Sequence, residues 1–429
     1  MVEIIRNAWR IKEVRHKILY TLMMLFIFRL GSFITTPFID LDAAKAIMQS
    51  NAMIQLLDMF NGGAVSSFTI FATGITPYIT ASIVIQLLTV AIPALEKMMK
   101  EGGEEGRKKV TEWTRYSSIL LSLIQTGGYL INYSRPGSDI MLDHGWYAFV
   151  TILLVQAAGA AFAMWLGERI TEKGVGNGIS LLIFINIISR LPITLSEVSG
   201  ISTGAGFSFL GLVGFLLMSI FLIGAVTFID LGQRRIPVQY AKRMVGRKVY
   251  GGQSTHIPLK LNNSGVMPLI FAMTLVNFPG QILGSFVYGD SWFNRFALWY
   301  SQTMSYQSFW YLFIQSLLII FFTYFYSQIS FNPIDISKNI QQYGGFIPGI
   351  RPGKPTSDYL LRVSNRINLF SALFFTLLAL IPSLFVLFYG GITNPYGPTS
   401  ILIMVGVALE TSKQIEAQML MRHYKGFLN

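Results

Sequence analysis

The chain has no cysteine among its 429 residues. That excludes disulfide staples, thiolate metal sites and thiol chemistry. Charge is scarce: Asp, Glu, Lys and Arg make up 13% of the residues, about half the share a water-facing globular surface carries. The four histidines, His16, His144, His256 and His423, lie far apart and show no ligand spacing. Gly174-Val175-Gly176-Asn177-Gly178 follows an apolar block rather than a strand and so lacks the setting of a dinucleotide fingerprint. The glycines at 102, 103 and 106 come without the Gly-Lys-Ser/Thr of a phosphate-binding loop, so the chain offers no ATPase motif. Acidic residues stand almost wholly outside the apolar blocks, and no cofactor or metal site is expected.

Apolar residues, in contrast, reach 52%, and they fall in blocks long enough to span roughly 30 Å of hydrocarbon as helix. Ten such segments are predicted, at 18–36, 70–92, 116–133, 146–166, 179–195, 207–230, 265–284, 307–329, 367–389 and 399–412. The fifth contains Asn186, Arg190 and Pro192, and the tenth runs into Glu410 and Lys413. The fold class expected is therefore an all-α polytopic membrane protein.

The net charge is +12, and its distribution reports topology. With ten spans both termini share one side, and 28 of the 33 basic residues fall on that side against four on the other, with Arg29 inside the first span. The positive-inside rule makes both termini cytoplasmic. No removable signal peptide is expected, because the first apolar block is long, contains Arg29 and lacks a small-residue cleavage site.

Gly74-Ile75-Thr76-Pro77-Tyr78-Ile79 opens the second segment and Gly265-Val266-Met267-Pro268-Leu269-Ile270 opens the seventh. The second span of each five-span half thus repeats Gly, Pro and Ile, and an odd number of spans per half inverts one half relative to the other. Residues 52–61 are amphipathic, too short to span, and followed by Gly62 and Gly63, which fits a re-entrant or an interfacial helix. The stretch 231–264 carries seven basic residues and no acidic one, and 330–366 is rich in Gly and Pro around Arg351. Such loops suit docking to phosphate-rich RNA or an acidic protein surface, although topogenesis alone also favours basic residues there.

Five stretches closely resemble the bacterial SecY family, the central subunit of the Sec protein-conducting channel: GITPYITASIVIQLLT from Gly74, EGRKKVTEWTRY from Glu105, LGERITEKGVGNGIS from Leu166, GQRRIPVQYAKRMVGRKVYGGQSTHIPLKLN from Gly232 and GGFIPGIRPGKPT from Gly344. The similarity extends over essentially the whole chain. It implies two inverted five-helix halves, 1–195 and 196–429, around a central hourglass pore with a short re-entrant plug helix. The resemblance assigns a pore ring to Ile75, Ile79, Ile179, Ile183, Ile270 and Ile403. It assigns a plug at about 52–66 with Met53, Ile54, Leu56, Leu57, Met59, Phe60, Asn61, Gly62 and Gly63. A lateral gate between the second and third spans and the seventh and eighth follows, with Thr80, Gln86, Gln125 and Asn277 as its polar candidates and Ser82, Ser122, Thr126 and Thr274 beside them. Arg234, Arg235, Arg243, Arg247, Lys248 and Arg351 match the motor- and ribosome-binding loops.

The function so implied is passage of unfolded secretory proteins across the bacterial plasma (inner) membrane and lateral release of apolar segments. The channel itself is no enzyme, and energy comes from a partner ATPase or the ribosome. The implied partners are SecE and SecG, the SecA motor, the ribosome, preprotein and signal peptide, a YidC-type insertase and the lipid bilayer. The rival class is an ion-coupled solute transporter with the same five-plus-five repeat, which requires polar coupling groups at mid-depth. A catalytic intramembrane protein would require reactive groups there as well.

Overall fold

Each of the ten expected apolar segments folds as a helix in the computed structural model, which describes residues 2–44, 61–133, 140–198, 209–240, 243–245, 248–250, 254–262, 265–285, 292–304, 308–389 and 397–425. The first half contains α1 (Val2–Arg10), α2 (Lys12–Gly31), α3 (Thr76–Ala91), α4 (Pro93–Glu101), α5 (Gly103–Tyr133), α6 (Trp146–Lys173) and α7 (Gly178–Val198). The second contains α8 (Phe209–Leu231), β1 (Gln233–Tyr240), β2 (Arg243–Val245), β3 (Lys248–Tyr250), β4 (Ser254–Lys260), α9 (Met267–Ser285), α10 (Trp292–Thr303), α11 (Phe309–Ser330), α12 (Pro333–Gln342), β5 (Gly345–Phe346), α13 (Lys354–Tyr389) and α14 (Gly397–Lys425).

Among the described residues, four helical stretches are long and apolar enough to cross a membrane by length and composition alone: Trp146–Lys173, Leu212–Leu231, Phe309–Gln342 and Lys354–Ile381. Thr76–Ala91 and Pro93–Met99 together make a fifth, bent by 104°. The bend has a covalent cause. Pro93 disfavours helical backbone in the residue before it, and Ile92 is accordingly extended at φ −107°, ψ 111°. The shorter apolar helices α7 and α9 contain Asn186, Pro192, Asn277 and Pro279. Asn186 and Asn277 are buried against neighbouring helices, where interior packing makes polar side chains tolerable in a membrane protein.

Several helices overrun the expected spans. α5 begins at Gly103 and α13 at Lys354, each more than ten residues before its apolar block. Hydropathy marks where lipid begins, whereas the backbone ladder continues through any residue of fair helix propensity.

The largest apolar cluster takes residues from α2, α3, α6, α7, α8, α9, α11, α13 and α14. α9 packs on α3 and α5 on one side of the molecule, and α14 packs on α7, so the two halves of the chain meet along two seams. Gly74 and Gly265 precede α3 and α9 and both lie at positive φ, +52° and +63°. The sequence repeat is therefore also a conformational repeat: each helix is entered through a left-handed glycine that another residue would strain.

The helical bundle also carries a small sheet that hydropathy does not mark. β1 pairs antiparallel with β4 from Gln233↔Lys260 to Gln239↔Ser254, and with β5 at Gln239↔Phe346 and Tyr240↔Gly345. The stretches 231–264 and 330–366 are thereby joined in one three-stranded sheet of order β4-β1-β5. Beneath it lies a separate small core of Ile236, Val238, Leu259, Ile340, Ile347, Leu360, Val363 and Ile367. Period-two alternation explains the strand: Ile236 and Val238 point inward while Arg235, Pro237 and Gln239 are exposed.

Candidate functional site

The six isoleucines singled out in the sequence come from α3, α7, α9, α14 and the turn before α3, and they share the largest apolar cluster. Ile75, Ile79, Ile183, Ile270 and Ile403 are buried, and Ile179 is half-buried against the same cluster. Ile79, Ile179, Ile183 and Ile270 also line a cavity of about 750 Å³. Its lining is mixed: besides the isoleucines it includes apolar Tyr78, Met164, Met267 and Phe271, polar Ser82, Gln86 and Tyr326, and charged Arg115, Glu168, Arg169 and Glu172.

The charged part of the lining is internally paired. Arg115 on α5 meets Glu168 on α6 through two contacts, Nε to Oε1 at 2.9 Å and Nη2 to Oε2 at 2.8 Å. This hydrogen bonding raises the guanidinium pKa above its ordinary value, so Arg115 remains a cation. Arg169 pairs with Glu172 at 2.7 Å and its guanidinium lies 5.7 Å from the Trp165 ring centre. Sequence reading did not single out these four residues. They lie in two of the quoted motifs; Arg115 and Glu168, 53 positions apart, leave no local spacing signal, whereas Arg169 and Glu172 stand one helical turn apart.

Of the plug candidates, Met53, Ile54, Leu56, Leu57, Met59 and Phe60 lie outside the described residues. Asn61 is buried and its Nδ2 donates to the Ala72 carbonyl at 3.0 Å. Arg29 Nη1 donates to the Gly62 carbonyl at 3.1 Å, and Gly62 and Gly63 both take positive φ. The turns that follow are clamped from α6, where buried Gln156 donates through Nε2 to Thr36 Oγ1 at 2.8 Å and to the Thr69 carbonyl at 2.7 Å. Gly159 lets the same segment approach, since a Cβ there would stand 1.8 Å from the Ile70 carbonyl oxygen.

Of the gate candidates, Thr80, Gln125 and Asn277 are buried. Gln86 on α3 accepts a 2.5 Å hydrogen bond at Oε1 from the Tyr326 hydroxyl on α11, and its Nε2 donates to Ser82 Oγ at 3.0 Å. Asn277 Oδ1 accepts from the Tyr311 hydroxyl at 3.4 Å. Ser122 Oγ lies 3.4 Å from Thr73 Oγ1, while Thr80 and Thr274 bond back to carbonyls of their own helices. The Gln86–Tyr326 bond joins residues 240 positions apart and crosses between the two halves of the chain. Tyr326 and Tyr311 were missed in the sequence, where a tyrosine in a Phe- and Tyr-rich span carries no distinguishing mark.

Arg234 and Arg235 are exposed on β1. Arg243 and Lys248 belong to the β2–β3 ribbon, with Arg243 opposite Tyr250 and Val245 opposite Lys248, and Arg247 lies outside the described residues. Arg351 is exposed at the tip of a turn tied down from beneath. Thr356 Oγ1 donates to the Arg351 carbonyl at 2.8 Å, and Ser337 Oγ donates to the Gly353 carbonyl at 2.7 Å.

A family model described as SecY matches residues 69–412. The chain belongs to the SecY family. The protein translocase subunit SecY of Mycobacterium bovis is 43% identical over 442 residues, covering 98% of each chain. Among solved structures, "The structure of a protein conducting channel" superposes with a TM-score of 0.63 at 16% identity, covering 94% of this chain and 92% of that one. "Sec61 in the Canine ribosome-channel complex from the endoplasmic reticulum" reaches 0.59 at 15% identity, over 94% and 92%. At such low identity these two matches show the shared fold. The helix arrangement described above is that shared fold.

Proposed function

We propose that this chain is the channel subunit of a protein translocase, passing unfolded secretory proteins across the membrane and releasing apolar segments sideways into lipid. The observation that carries the reading is the gathering of six isoleucines from both halves into one apolar cluster, four of them lining a cavity, in a chain of the SecY family. A narrow aliphatic constriction dewets and so blocks ions and water. Branched apolar side chains also offer no fixed hydrogen bonds, so a polypeptide of any sequence can pass without being held.

On this reading the halves 1–195 and 196–429 hinge apart. The segment 52–66 plugs the external side, and the seam between α3, α5, α9 and α11 is the lateral gate. A substrate segment gains roughly 0.3 to 0.6 kcal/mol for each Leu, Ile, Val or Phe it places in lipid, while one central Arg, Lys or Asp costs about 2.5 to 3.5 kcal/mol. Partition at the open seam therefore sorts membrane segments from secreted ones. The sheet end, bearing Arg234, Arg235, Arg243, Arg247, Lys248 and Arg351, faces the cytoplasm with both termini and receives the SecA motor or the ribosome. A ribosome stands in the name of the canine complex. SecE, SecG and a YidC-type insertase complete the assembly in a bacterial inner membrane, and the partner supplies the energy.

The test is reconstitution with the motor, ATP and a preprotein in sealed vesicles. The channel reading requires ATP-dependent protection of the preprotein from external protease. Gradient-driven uptake of a small solute, with no preprotein protected, would instead favour the carrier.

A further inference from the structure

All seven tryptophans are exposed, and they sit near the ends of the apolar blocks or in the short helices that flank them: Trp9, Trp113 and Trp165 toward the sheet end, Trp146, Trp292, Trp299 and Trp310 toward the opposite end. Tryptophan concentrates at the two membrane–water interfaces because its ring is apolar and its N–H polar. Two of the seven belong to α10, a twelve-residue helix between α9 and α11 that is too short to span.

α10 has three distinct sides. Trp292, Phe296 and Trp299 recur at i, i+4 and i+7 and are exposed, with Phe296 and Trp299 stacked at 5.8 Å. Arg295 and Gln302, exposed and one heptad apart, mark the neighbouring edge, with the exposed Leu298 between them. Ala297 is buried, and the half-buried Tyr300 donates its hydroxyl to the Val276 carbonyl on α9 at 3.2 Å. Burial raises the Tyr300 phenol pKa, which keeps it a donor. The carbonyl it reaches lies one residue before Asn277 and three before Pro279, the residue that interrupts the α9 ladder.

We propose that α10 lies in the outer membrane interface, its aromatic side in the acyl boundary and Arg295 and Gln302 toward water, and that through Tyr300 it anchors α9 at the proline-weakened turn. The occupant of the aromatic side is lipid. A protein side would also need partners for Arg295 at its edge, whereas an interface supplies phosphate and water to a snorkelling arginine. The anchoring part rests on the reading of α9 as a gate helix.

Because the chain has no native thiol, single nitroxide labels at Trp292→Cys, Phe296→Cys, Trp299→Cys and Gln302→Cys report depth in vesicles of phosphatidylethanolamine and phosphatidylglycerol. The first three are expected to collide preferentially with oxygen, and the fourth with a water-soluble nickel chelate. Preference for the chelate at all four, or exclusion of both agents by a covering protein, overturns the proposal. A label pair at Ser82 and Thr274 then reads the seam. Tyr300→Phe is expected to raise the separated fraction about fivefold, the factor that one neutral hydrogen bond supports. An unchanged distribution removes the anchoring role. Preprotein translocation measured in the same vesicles keeps the two readings apart: its failure in the native chain sinks the channel reading and leaves the depth profile standing.

Discussion

Tyr326→Phe isolates one bond across the proposed gate. The substitution removes the hydroxyl that donates to Gln86 Oε1 at 2.5 Å and retains the ring, which packs edge-on to Phe271 with centroids 5.1 Å apart. A neutral hydrogen bond of this kind contributes about 1 kcal/mol net. Gln86 borders the cavity, so water replaces the lost donor, and the larger penalty of a sealed, orphaned acceptor does not apply. About 1 kcal/mol is about a fivefold change in the ratio of closed to open seam. Since each leucine of an inserting segment is worth roughly 0.3 to 0.6 kcal/mol, the loss offsets about two or three leucines. The assay is membrane insertion of a segment series graded in leucine count, in vesicles containing the variant. The insertion curve is expected to move by two or three leucines toward less apolar segments. Gln86→Ala, which also removes the bond to Ser82 within α3, should move it at least as far, and Tyr326→Phe should add nothing to it in the double variant, because both remove the same bond across the seam. An unmoved curve, or additive shifts in the double variant, would refute the latch.

Three further outcomes follow from named contacts. Gly74→Ala forces a left-handed residue and sets a Cβ 2.2 Å from Asn61 Oδ1; the backbone strain alone is about 1 to 2 kcal/mol, so thermal unfolding should begin lower than in the native chain. Arg351→Glu reverses an exposed charge on a turn that its own hydrogen bonds hold in place, so motor-driven translocation should be lost while circular dichroism and protease pattern are retained. Serine at Ile79, Ile183 and Ile270 together should wet the constriction, and the resting channel should then conduct ions in planar bilayers, where the native chain does not.

Helix positions were legible in the sequence because block length and hydropathy are dictated by the thickness of the bilayer. The Gly-Pro-Ile repeat was legible too, and it reappears as matched left-handed entries at Gly74 and Gly265. Helix ends were not: α5 and α13 continue well beyond their apolar blocks, since nothing in hydropathy records a polar helix that goes on into water. The sheet was hidden for a different reason. Its signal was present in the alternation around Ile236 and Val238, but its third strand lies about a hundred residues away and has only two residues. Residues that act in pairs across the fold, Tyr326 with Gln86 and Arg115 with Glu168, have no spacing to read. The isoleucines were found through family resemblance, because a single mid-span isoleucine is indistinguishable from core.

The central claim is that a polypeptide passes through the isoleucine cluster. Photoreactive probes placed singly at Ile79, Ile183 and Ile270 test it directly, with a secretory precursor stalled midway by a folded C-terminal domain. Adducts to the precursor at all three positions, lost when the precursor is allowed to run through, are the predicted result. Precursor translocated with no adduct at any of them would contradict the account.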